Sequence, residues 1–150
     1  MKGLKVDRLA WPWLINRFVD PETQFLFVPA EAVIRIANDE GAIAFDVPGV
    51  GLTHYKEGGN ERVSFDAIIR RYDLKDPALL KLARIVRGAD AKIPDGPIES
   101  AGLEAAALGS WEIAKDGFEN MKIQFPLYDA LCEYCRLKVQ GVGKLEHSTK

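Results

Sequence analysis

The chain has 150 residues, 47% of them hydrophobic, enough apolar matter for one core that needs neither disulfides nor metal to hold it together. A net charge of −2 and a pI of about 5.7 remove the electrostatic case for nucleic acid or an anionic membrane as a partner of this chain alone. No apolar run approaches the ~20 residues that span a bilayer. The basic residues among the first ten have no apolar stretch behind them of the kind a secretory signal carries, so the cytoplasm is the expected compartment.

In chain order, a short helix comes first. Pro12 suits its first turn, and Trp11, Leu14, Ile15 and Phe18 fall at helical spacing. Asp20-Pro21 ends it. Gln24 to Val28 reads as a short buried strand. A helix opened by Pro29 and closed by Gly41 follows, then a second strand over Ile43 to Val47. This order allows a small parallel βαβ unit. Residues 48–62 form a glycine-rich loop with a hairpin signal at Gly58-Gly59-Asn60.

Ser64 suits the cap of a helix running to about Tyr72. Asp76-Pro77 caps and opens the next one, with Leu79, Leu82, Ala83 and Val86 on one side and Gly88 as its stop. The alanine-rich stretch from Ile98 to Ala114 is a further helix. In the last helix, Phe118, Met121, Phe125, Tyr128, Cys132 and Cys135 make one apolar seam, and Pro126 predicts a kink or break. The sum is an α+β fold, predominantly helical, with five to six helices and one small sheet of two or three strands. It forms a single domain over residues 1–140, followed by a flexible polar tail over 141–150.

Chemistry has few places to gather. Cys132 and Cys135 form a CxxC, but they lie inside a helix, on its apolar seam, with no second ligand pair nearby. That favours small hydrophobes over a redox or zinc pair. His54 is the one histidine ahead of the tail and sits in the glycine-rich loop after a strand. Asp66 and Asp90 are its candidate partners, with Asp46 and Asp20 in support. An imidazole with two or three carboxylates suits a divalent metal such as Mn, Fe or Zn. Arg17 and Arg87, with helix N-termini, offer instead an oxyanion pocket. Each of these residues also has an ordinary role: Asp66 favours a helix N-terminus, Arg87 caps a helix C-terminus, and Arg17 pairs with Asp20. The sequence contains no GxxxxGK[ST], no GxGxxG after a strand, no HExxH and no GxSxG. Nucleotide binding and the common hydrolase classes therefore have no support.

Several segments together carry a resemblance. They are WPWLINRFVD (11–20), FLFVP (25–29), FDVPG (45–49), His54, SFD (64–66), DPAL (76–79), IVRGAD (85–90) and YDAL (128–131). In this order and spacing the chain resembles the chromate-resistance family, the ChrB-type C-terminal domain, from about Val6 to Arg136. The resemblance implies a cytoplasmic protein linked to chromate resistance, and it carries over Arg17, Asp20, Asp46, His54, Asp66, Arg87 and Asp90. Members of that family typically have cysteine where this chain has Trp11, and often where it has Val63, so a thiol mechanism drawn from those positions does not transfer. Two readings follow. One is a polar pocket formed by His54, Asp66, Asp90 and Arg17, in which the histidine and the carboxylates hold a divalent metal. The other is a non-catalytic module that senses chromate or another oxyanion through Arg17 and Arg87, or contacts a partner protein. A homo-oligomer joined through the Phe118–Cys135 seam is a third expectation.

Overall fold

The computed structural model describes residues 6–23, 55–57, 60–62, 64–91 and 96–141. They contain α1 (Asp7–Leu14) running into a π-helical turn (Ile15–Val19), strands β1 (Tyr55–Glu57) and β2 (Asn60–Arg62), and helices α2 (Ser64–Arg71), α3 (Pro77–Ala91), α4 (Glu99–Ile113) and α5 (Gly117–Val139). The fold is all-α, which corrects the α+β expectation. The only strands among the described residues are the two three-residue arms of one antiparallel hairpin, with Tyr55 opposite Arg62 and Glu57 opposite Asn60. Arms that short cannot supply a layer of core, whereas the helices bury apolar faces against one another. The strands expected at 24–28 and 43–47, and the helix between them, lie outside the described residues.

Helix α3 is the hub and packs against α1, α2, α4 and α5. Its start follows the sequence: Asp76 Oδ1 accepts from the Ala78 amide at 2.9 Å, and Pro77 occupies the first helical position. Leu79, Leu82, Ala83 and Val86 are all buried. Gly88 does not stop the helix, which continues to Ala91. It is buried where α4 crosses, and a Cβ there would collide with Ser100 Oγ. That hydroxyl donates to the Ile85 carbonyl at 2.8 Å, so glycine serves close approach here.

Helix α2 ends in a Schellman motif. Leu74 N–H reaches the Ile69 carbonyl and Asp73 N–H the Arg70 carbonyl, with Asp73 in the left-handed region at φ 51°. Helix α5 opens on Asp116, whose carboxylate accepts from the Glu119 amide at 2.8 Å. It passes through Pro126 as one element, with Pro126 on the exposed side. Its seam turns inward along its length: Phe118 is exposed, Met121 and Phe125 are half-buried, and Tyr128, Cys132 and Cys135 are buried. The middle and end of the seam are therefore core.

Trp13 ties the layers together. It is 1% exposed. Its ring is stacked on Phe65 of α2 at 6.4 Å and meets Tyr128 of α5 and Phe18 of the π turn at 5.8 Å each. Helix α1 begins well before Pro12, which sits inside it and not at its start. Removing an interior amide weakens the ladder. The chain beyond Pro12 widens into the π turn, closed by Asp20 N–H on the Ile15 carbonyl at 2.8 Å.

Candidate functional site

Two bidentate arginine–aspartate pairs link the helices, one mostly buried and one at the rim. The first joins α3 to α2. Arg87 donates from Nε to Asp66 Oδ2 at 3.1 Å and from Nη2 to Asp66 Oδ1 at 2.8 Å. The side chains are 16% and 6% exposed. This is a bidentate fork held mostly out of water, the geometry in which a guanidinium and a carboxylate bind most strongly. Asp66 lies in the first turn of α2. The β2 arm of the hairpin packs against both α2 and α3. Tyr55, the residue after His54 in sequence, is paired with Arg62, two positions before α2 begins.

Asp90 stands one helical step beyond Arg87, at the end of α3, and is half-buried. Residues three apart on a helix share a face, so Asp90 belongs to the same side of α3 as the pair. His54 and Asp46 lie outside the described residues.

The second pair joins the π turn to α5. Arg17 donates from Nε to Asp129 Oδ1 at 2.8 Å and from Nη2 to Oδ2 at 3.0 Å. Trp13 Nε1 donates to the same Oδ1 at 2.7 Å. The Arg17 guanidinium also lies 5.3 Å from the Phe125 ring centre, in cation–π range. Hydrogen bonds from Arg17, and then from Trp13, hold the Asp129 carboxyl below the ordinary carboxylate range, although partial burial opposes this. Its bond to Asp129 raises the Arg17 pKa in turn. Arg17 thus pairs with Asp129 and not, as the sequence suggested, with Asp20. Asp20 is exposed and accepts from the Glu22 amide in a local turn.

The structure therefore joins Asp66 to Arg87 and gives Arg17 a separate partner in Asp129. Asp129 went unnoticed in the sequence because 112 residues separate it from Arg17. Its one local signal was a place in the YDAL segment. Neither cysteine has the setting of a reactive thiol. Burial pushes the Cys135 thiol up to about 11 and raises that of Cys132.

A metal fits the described part of this site poorly. Both Asp66 oxygens accept from Arg87, so the carboxylate charge is already compensated. Among the described residues no three ligand-type side chains gather into a group that could hold an ion. No helix among them is long and apolar enough to cross a membrane.

These features define an all-α domain with a mostly buried arginine–aspartate fork between α2 and α3. The family model described as "ChrB, C-terminal domain" matches residues 1–135, and the chain belongs to that family. It is 35% identical over 111 residues to Protein ChrB of Cupriavidus metallidurans, an alignment covering 73% of this chain and 31% of that protein. The chain thus matches about a third of the length of that curated relative. No solved structure matches it.

Proposed function

We propose that this domain serves chromate resistance as a binding module, taking an oxyanion where the hairpin meets α2 and α3. The observation that carries this reading is the mostly buried Arg87–Asp66 fork. A guanidinium fixed in one orientation by its own carboxylate is preorganised, so little side-chain entropy remains to be lost when an anion arrives. Arg87 is the principal donor. Asp66 sets its direction, and Asp90 lies one turn further along α3. Arg17 has a weaker claim to an anion, since its fork lies at the exposed rim, where solvent screens the attraction. The resemblance to ChrB supplies the ligand class. A divalent metal held by His54, Asp66 and Asp90 is the lesser reading, because Arg87 already offsets the charge such an ion would seek.

The test is a thermal-shift titration with chromate, sulfate and phosphate on the wild type and on Arg87→Lys, which keeps the charge and loses the fork. A ligand at a hundred times its Kd adds about 2.7 kcal/mol of stability, so chromate should raise the Tm of the wild type by several degrees and leave that of Arg87→Lys unmoved. A wild type indifferent to all three anions at millimolar concentration overturns the proposal. Stabilisation by Mn, Fe or Zn in its place would favour the metal.

A further inference from the structure

The buried side of α5 changes character along its length. Asn120, Gln124, Tyr128 and Cys132 follow one another at steps of four and are all buried, so they form one line on the helix. The last two belong to the hydrophobic core. The first two are carboxamides, 1% and 2% exposed. They meet Ser110 in the last turn of α4, which is also buried. The two helices form a tight corner there: the Ala114 amide closes α4 on the Ser110 carbonyl, and Asp116 caps α5 two residues later.

The hydrogen bonds within this trio leave two polar atoms over. The Ser110 hydroxyl donates to Asn120 Oδ1, and Gln124 Nε2 donates to the same oxygen at 3.0 Å. Asn120 Nδ2 and Gln124 Oε1 are buried with no hydrogen-bond partner among the described residues. Turning both amides over does not remove the deficit. Asn120 would then donate to Ser110 and to Gln124, and its oxygen and the Gln124 nitrogen would be left over instead. In either arrangement one donor and one acceptor remain. Buried amides left unpaired are costly, and native interiors seldom keep them so.

The opposite character of the two atoms decides what can fill the place. A cation seeks acceptors alone and an anion donors alone, so one free group of each kind suits neither. All three side chains are neutral, so no charge is offered in compensation. The fitting occupant is a neutral molecule that both donates and accepts, and enclosure in the corner between two helices keeps it small. We propose that a buried water sits between α4 and α5, donating to one carboxamide and accepting from the other. Ser110 Oγ keeps a lone pair and is the candidate third partner; about three polar partners is the usual number for a buried water.

The experiment is a crystal structure of the whole chain together with water-to-protein cross-relaxation measured by NMR on the same protein. Expected is a density peak at hydrogen-bond distance, about 2.7–3.2 Å, from both carboxamides. The side-chain amide protons of Asn120 and Gln124 should show cross-peaks to a water that stays bound longer than surface waters do. Gln124→Met keeps the length of the side chain and loses its amide, so the water cross-peak at Asn120 should vanish while circular dichroism stays helical. The wild-type measurements decide the matter even where that variant folds poorly. Carboxamides bonded wholly to protein groups, or amide protons with no long-lived water beside them, overturn the proposal. An ion in place of the water overturns it too, as does a cross-peak at Asn120 that survives Gln124→Met.

Discussion

The two arginine–aspartate forks have nearly the same geometry and opposite settings. Arg87 and Asp66 meet between α2 and α3 with 16% and 6% of their side chains exposed, while Arg17 and Asp129 meet at the rim with 37% and 46% exposed. In the first, water is largely replaced by protein, so each charge depends on the other. In the second, solvent screens the attraction, and the carboxylate gains its importance from a further donor, Trp13 Nε1. Burial, and not hydrogen-bond length, separates a pair that the fold cannot lose from one that it can.

The comparison can be broken most severely at the inner fork. Arg87→Ala strands the Asp66 carboxylate, and a loss of about 3–5 kcal/mol is expected in urea unfolding. The double variant Arg87→Met with Asp66→Leu should recover much of that loss, because no buried charge is left alone. A single variant that unfolds like the wild type would show the fork to be dispensable.

The outer fork sharpens the contrast by its asymmetry. Arg17→Ala should cost at most about 1 kcal/mol, and less in high salt. Asp129→Ala should cost more, about 1–3 kcal/mol, because it leaves the buried Trp13 N–H without its acceptor. Asp129 also carries a pH signature. Its carboxyl is held low in the folded state, so its contribution is complete above the unfolded value near 4 and is lost as pH falls through the lower folded value. Acid titration should show the advantage of the wild type over Asp129→Asn in full at neutral pH and shrinking as pH falls below about 4. Equal costs for the two outer variants would mean that the indole bond contributes nothing.

The smallest effect belongs to the thiols. Burial raises both, Cys135 to about 11, so alkylation of the native protein at pH 8 should be far slower than in urea, and fast native modification would contradict their core placement.

Much of the helical layout was legible. The steps of Leu79, Leu82, Ala83 and Val86, the Asp76-Pro77 start and the Tyr128–Cys132–Cys135 seam are local signals, and local signals survive in a single sequence. Punctuation misled where packing overrode it. Gly88 was expected to end α3 and instead admits Ser100. Pro126 was expected to kink or break α5, and the helix runs through it without a break. Pro12 was expected to open α1 and sits within it. The α+β expectation gave weight to short apolar runs that periodicity cannot assign. Of the site, Asp66 and Arg87 were singled out separately and proved to be partners. Asp129 was missed because a pairing across 112 residues leaves no trace in spacing.

The π turn at Ile15–Val19 has a consequence for how this segment tolerates change. A π turn is equivalent to one extra residue accommodated inside a helix without a loop. Each helical residue advances the next by about 100° around the axis. Deleting Asn16 would therefore restore a regular helix and move Arg17 back one position, about 100° around the axis. The Arg17 fork would then no longer be aimed at α5. A single-codon length change here acts as a rotation, so this stretch should tolerate substitutions more readily than changes of length.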